Sequence, residues 1–451
     1  MKGKLVTLLK RLECFIALAI LPFLGIALSG KNINDYLEFP PYTLYVEHAP
    51  FSWIVFILMA IFVGTVILPF IIQVFKTPAH PCGCGTPEGA VHDTANRPPE
   101  GRTHQTVPYP RALQKTRYTT RQNTAFPWWG WSGLLLGGIS WFFSWTRFSW
   151  FTPFQLYTFT PLWLSYIIVV NALTYKKTSQ SMLTHRPKYF LGLFFLSAIF
   201  WWYFEILNRF VQNWYYLEVN HLAPLSYFFF ATLAFSTVLP AVLGTYELLK
   251  ANPNRYAFLD EFPAFRVHLN KNIAWVILIA SCLSLVFLGI FPDTLYPLLW
   301  LSPLIIITSW QVIRGQKTIF DQCLNGRFRK IILLSLSALI CGFFWEMWNY
   351  YSLAKWVYTV PFVQKFKIFE MPLLGYAGYL PFGLECACLS DFFFNFKTKT
   401  GQSETIEHPG LQTLIWYAVL AGTIFFLSQG SVQLSLIFLI LLLILPLKKL
   451  V

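Results

Sequence analysis

Residues 186–210 read "RPKYFLGLFFLSAIFWWYFEILNRF". A helix crosses a hydrocarbon core of about 30 Å in roughly 20 residues, so a stretch this long and apolar is a membrane span. Near its far end Glu205 and Asn208 stand among Trp201, Trp202, Tyr203 and Phe204. The pattern returns at 327–351, "RFRKIILLSLSALICGFFWEMWNYY", where Glu346 and Asn349 each follow their counterparts by 141 positions. Other matches keep nearly the same spacing: "PLWLS" (161–165) with "LLWLS" (298–302), "LPAVLG" (239–244) with "LPFGLE" (380–385), and Trp131 with Trp275. Apolar helices look alike by composition, but that does not place a paired E-x-x-N in register. The expectation is two tandem four-span repeats, residues 128–249 and 273–395. An even number of spans gives both the same orientation, with a pseudo-two-fold axis along the membrane normal.

Composition agrees with a membrane protein. Of 451 residues, 56% are hydrophobic and only 12% charged, which is too few charges for the surface of a soluble chain of this size. Twelve apolar runs reach or approach spanning length: 12–30, 51–75, 128–146, 153–175, 189–207, 225–249, 273–291, 294–313, 331–350, 372–395, 411–428 and a shorter one at 432–447. The fold class expected is all-α, a polytopic bundle of about 12 spans. An N-terminal hairpin (1–75), a Pro/Gly/Arg-rich cytoplasmic loop (76–127) and a C-terminal hairpin (411–447) flank the repeats.

The net charge of +14 suggests nucleic acid at first sight, but its distribution points elsewhere. With the N-terminus inside, 28 of the 34 Lys and Arg fall in inner loops and 6 in outer loops, the asymmetry of the positive-inside rule. Both termini are therefore expected in the cytoplasm, in the inner membrane if the source is bacterial, and no nucleic-acid partner is expected. The basic leader "MKGKLVTLLKR" before an apolar run has the outline of a signal peptide. The run is longer than a signal core and its removal would invert the charge pattern, so it reads as a retained span.

Glu205 lies 16 residues beyond Tyr189, about 24 Å along a helix, and Glu346 about 22 Å beyond Ile331. Both are expected in the outer leaflet, with Asn208 and Asn349 one turn further on the same helix face. Intramembrane carboxyls are costly and are functional by default. A neutral carboxylic acid can donate a proton, which suits general-acid work or proton-coupled transport. The alternative is a clasp: Glu205 pairing with Arg209, or carboxyls bonding across the repeat interface.

Copy two also carries Glu385 where copy one has Gly244, so Glu385 joins Glu205, Glu346, Asn208 and Asn349 as candidate catalytic groups. Trp201, Trp202, Trp345 and Trp348, with Arg147, Arg209 and Lys355 on the outer side, are candidate substrate contacts. For any single ring, ordinary packing and interfacial belts are the commoner explanation, but aromatic faces also stabilise cations. In the cytoplasmic loop His80, Cys82, Cys84, His92 and His104 collect ligand-capable side chains. C-x-C is tighter than the usual zinc spacing, so reduced thiols are expected and no metal site is assigned. No motif identifies a cofactor or a protein partner.

The strings "FPPYTLYVEHAPFSW", "WWYFEILNRFVQNWYY", "FFWEMWNYY" with "KWVYTVPF", and "FEMPLLGYAGYLPFGLE" together resemble a group of bacterial polytopic integral membrane proteins of unassigned activity, over most of the chain. A more distant likeness is to carotenoid-biosynthesis membrane proteins of the hydratase and lycopene-cyclase kind, which also place a Glu in an aromatic span. The lycopene-cyclase kind carries a paired-acid P-x-E-E element. Here "LPFGLECAC" has one Glu, and no residue role is carried over. The activity expected is that of a membrane-embedded enzyme acting on a lipid or isoprenoid, with the paired glutamates as acid and base. A proton-coupled transporter or lipid flippase with its site at the repeat interface is the alternative.

Overall fold

A computed structural model describes residues 18–76, 124–264 and 269–394 of the chain. The loop bearing the Cys and His cluster and the C-terminal hairpin at 411–447 lie outside the described residues. The described chain is mostly helical, and its longer helices are α1 (Leu18–Ser29), α2 (Trp53–Lys76), α3 (Trp128–Trp145), α4 (Phe159–Thr178), α5 (Pro187–Val211), α6 (Pro224–Phe235), α7 (Val238–Lys250), α8 (Lys271–Val286), α9 (Pro292–Ile313), α10 (Arg329–Tyr350) and α11 (Tyr379–Phe394). Five helical stretches among these residues are long and apolar enough to cross a membrane, or six if a bent pair counts as one span. Helix α2 turns Ile54, Leu58, Ile61 and Phe62 outward, as a lipid-facing span does.

Three expected spans are interrupted, each at a proline. A prolyl ring clashes with the carbonyl four residues back and donates no bond. Pro161 stands in the first turn of α4, four residues after Tyr157 in the break between that helix and Ser149–Gln155, which lies at 71° to it. Pro240 sits four residues after the interruption at 236–237 that separates α6 from α7. Pro381 stands four residues after Ala377, within the 3-10 segment Leu373–Gly378 that leads into α11. The two interruptions before α7 and α11 fall 141 positions apart, so Val238 and Tyr379 begin their helices at matching places.

The helices pack in two similar groups. Helices α3 and α4 form a hairpin, and α4 and α5 both pack on α7. Helices α8 and α9 form a hairpin, and α9 and α10 both pack on α11. The groups meet where α7 lies along α10 and α9 along α5. Across this seam Trp163 of α4 meets Trp345 of α10 at 4.8 Å, and Trp300 of α9 meets Phe204 of α5 at 5.0 Å between ring centroids. Each tryptophan thus stacks on the residue just before the other group's glutamate.

The chain leaving α5 and α10 forms two short strands, β1 (Trp214–Tyr216) and β2 (Trp356–Tyr358), which pair antiparallel. The register sets Trp214 opposite Tyr358 and Tyr216 opposite Trp356, with Tyr215 and Val357 at the centre. A W-x-Y triplet from each group therefore meets the other head to tail. A second hairpin, β3 (Lys367–Ile368) with β4 (Met371–Pro372), precedes the 3-10 segment.

Candidate functional site

Glu205 is buried on α5, and one of its oxygens, Oε1, accepts three hydrogen bonds: from Trp201 Nε1 at 3.0 Å, Trp214 Nε1 at 3.1 Å and Tyr216 OH at 2.6 Å. Glu346 is buried on α10, and its Oε1 accepts from Tyr358 OH at 2.8 Å and Tyr379 OH at 2.7 Å. Trp356 Nε1 donates to Tyr358 OH at 2.9 Å. The second Glu346 oxygen, also buried, meets no hydrogen-bond partner among the described residues. Each carboxyl thus gathers the W-x-Y triplet that follows its own helix.

The asparagines set this arrangement up. Asn208 Nδ2 donates to the Trp214 carbonyl at 2.8 Å, and its Oδ1 accepts from the Asn213 backbone at 2.9 Å. Asn349 does the same for Trp356, donating to its carbonyl at 2.8 Å and accepting from its N–H at 2.9 Å. An E-x-x-N spacing puts both side chains on one face. The amide turns the outgoing backbone into a strand, and the carboxyl receives the side chains which that strand presents. The asparagines act on the strands rather than on the glutamates.

The two clusters differ in one donor. Trp201 sits one turn before Glu205 and bonds to it, but its counterpart is Gly342. A Cβ at Gly342 would lie 2.5 Å from the Tyr379 ring. Glycine there lets Tyr379, from the start of α11, lie against α10 and supply the missing donor.

Between the two clusters is a cavity of about 470 Å³, within the range of about 300–1,000 Å³ common for small-ligand sites. Trp201, Trp214 and Tyr216 line it from one cluster and Trp345, Tyr358 and Tyr379 from the other. The rest of its wall is mostly apolar and comes from α2, α6, α9, the 354–378 segment and the start of α11. The carboxyls stand behind the rings they hold, so the polar side chains that line the cavity are those of Trp and Tyr, with Asn213 beside them. A tyrosyl hydroxyl bonded to a carboxyl can pass a proton between that carboxyl and a bound molecule.

The other sequence candidates lie elsewhere. Trp202 bonds Thr232 and stacks on Phe228, in a separate cluster. Trp348 is buried against Trp163 at 5.2 Å. Glu385 is buried in α11 beside the Leu304 backbone, and neither oxygen has a hydrogen-bond partner at normal geometry among the described residues. Arg209 pairs with Glu38 at 3.3 Å and the Asp35 carbonyl at 2.7 Å, tying the N-terminal segment to α5 instead of bonding Glu205. Arg147 donates to the carbonyls of Ser144, Thr146 and Tyr351. Lys355 pairs with Glu370 at 2.5 Å. Cavity residues that sequence reasoning missed include Tyr216, Tyr358, Tyr379 and Trp300. For the first two the signal was present: the W-x-Y triplets recur 142 positions apart. Comparison with family models, with curated proteins and with solved structures finds no match.

Proposed function

We propose that the protein is a multi-pass membrane enzyme that binds a lipid or isoprenoid in the cavity between the two aromatic clusters. Glu205 and Glu346 serve as acid and base, acting through Tyr216 and through Tyr358 and Tyr379. The observation that carries this reading is the wall itself. Both glutamates, from separate halves of the chain, hold their Trp and Tyr partners against one apolar cavity. An apolar chain fills such a space favourably, and aromatic faces stabilise cationic character developing along it. The head-to-tail strand register and the matching interruptions support two tandem parallel four-span repeats within a bundle of about 12 spans. The Lys and Arg distribution supports an inner-membrane orientation with both termini cytoplasmic.

A flippase or proton-coupled transporter is the second reading. Its support is that the cavity reaches the interrupted starts of both α7 and α11, at Val238 and Tyr379, and discontinuous helices are a common feature of transporter sites. Lipid mass spectrometry separates the two. Membranes bearing the wild-type chain or the Glu205→Gln/Glu346→Gln variant are compared for a lipid that accumulates and another that disappears. Reciprocal change in two chemically different lipids supports the enzyme. An unchanged lipid inventory, with a lipid redistributed between leaflets only in wild type, supports the flippase and overturns the enzyme.

A further inference from the structure

Among cations on the strand-bearing side of the bundle, most have a partner. Lys31 donates to the Gly289 carbonyl, Arg147 to three carbonyls, Arg209 pairs with Glu38 and Lys355 with Glu370. Lys365 and Lys367 differ. Both are exposed, and neither has a carboxylate or hydrogen-bond partner among the described residues. Glu370 lies near them in sequence, but its carboxylate is taken by Lys355. Two unneutralised lysines in an outer loop also run against the charge bias of the rest of the chain.

Their position gives them a use. Val363, two residues before Lys365, lines the cavity, and so does Met371, four residues after Lys367. Two extended residues span at most about 7 Å, so the Lys365 backbone stands at the cavity's edge. Helix α2 borders the same space through Met59, Phe62 and Val63. Phe366 packs on Phe56 of α2 at 5.4 Å, and the Lys365 ammonium sits 4.6 Å over Phe51 and 6.0 Å over Trp53. Aromatic rings and lysines grouped in this way are suited to the headgroup level of a bilayer.

We infer that Lys365 and Lys367 form a headgroup site for an amphiphile bearing a phosphate, whose apolar chain enters the cavity between α2 and the 363–375 segment. The inference rests on the cavity's being a binding site for a hydrophobic chain and adds the class of its polar end. Two exposed ammonium groups without a carboxylate partner among the described residues attract a phosphate dianion, and the rings beneath Lys365 hold its charge at the mouth. A neutral prenol or acylglycerol would fill the cavity and leave the lysines unused.

The test uses the full chain in phosphatidylcholine nanodiscs, with equilibrium binding of a radiolabelled C20 prenyl phosphate and of the matching C20 prenol. In wild type the phosphate is expected to bind at least about tenfold more tightly, the order of effect that interfacial lysines supply. Lys365→Gln/Lys367→Gln is expected to abolish that preference without weakening the prenol, and Lys365→Arg/Lys367→Arg to retain it. Equal binding of both ligands in wild type overturns the headgroup site and leaves the cavity reading intact. Binding of both that is unaffected by Ala234→Trp, which fills the cavity, overturns the cavity reading as well. Inorganic phosphate that displaces the prenyl phosphate completely at equal concentration identifies a free-anion site and overturns the amphiphile.

Discussion

Glu205 and Glu346 show how costly residues are used here. A carboxyl in a span needs donors: Glu205 receives them from two indoles and a phenol, and Glu346 from two phenols, groups that would themselves be unsatisfied in hydrocarbon. Glu205→Ala should therefore strand three donors. At about 0.6 kcal/mol for a typical hydrogen bond between side chains in a membrane, the expected loss is about 2 kcal/mol, read from unfolding in mixed micelles. Glu205→Gln keeps an acceptor oxygen, so it should lose less stability while losing turnover; equal stability losses in the two variants would count against the hydrogen-bond account. Tyr216→Phe should behave like Glu205→Gln in lipid turnover. Gly342→Ala tests the compensating donor. Its Cβ would meet the Tyr379 ring at 2.5 Å, and overpacking of this kind costs about 1–3 kcal/mol. It should match Tyr379→Phe in activity, and retained activity would remove Tyr379 from the chemistry.

At the scale of elements, the β1–β2 ribbon is the unusual part of a helical protein. Two three-residue strands are marginal alone, so the asparagines that start them carry more weight than a surface amide. Asn349→Ala leaves the Trp356 N–H and carbonyl without their partner, a loss of about 1–3 kcal/mol where those groups are buried. Hydrogen exchange at residues 214–216 and 356–358 should accelerate together, because the strands pair only with each other. Faster exchange in one strand alone would argue that the ribbon is not a unit. The prolines act at this scale too. Pro240→Ala should let α6 run on into α7, narrowing the cavity near Val238 and lowering prenyl binding without a loss of thermal stability.

For the whole molecule, the two helix groups present their aromatic triplets to each other across a seam. The cavity is a property of that seam and of neither group. The orientation proposed for the chain places residues 351–371 on one side of the membrane and 176–188 on the other. A maleimide that does not cross membranes should label Lys365→Cys from outside intact cells and Gln180→Cys only after they are opened. Labelling of both from outside would overturn the proposed topology.

Sequence alone determined the class of this protein and the residues to watch. Long apolar runs, sparse charge and biased loops follow from the demands of hydrocarbon on a backbone, and they are legible in a one-dimensional pattern. The spacing of E-x-x-N put each Glu and Asn on one helix face, a local matter of 3.6 residues per turn. Tertiary structure alone decided what those side chains touch. Glu205 bonds Tyr216, eleven residues on, and Glu346 bonds Tyr379, thirty-three residues on. Both bonds depend on where a turn sends the chain and on whether a glycine leaves room. A prolyl ring disfavours the helix just before it, so the interruptions ahead of Pro240 and Pro381 were legible in the sequence. Their meeting at one cavity was not, because contact between distant segments is set by packing between helices, which no periodicity along the chain encodes.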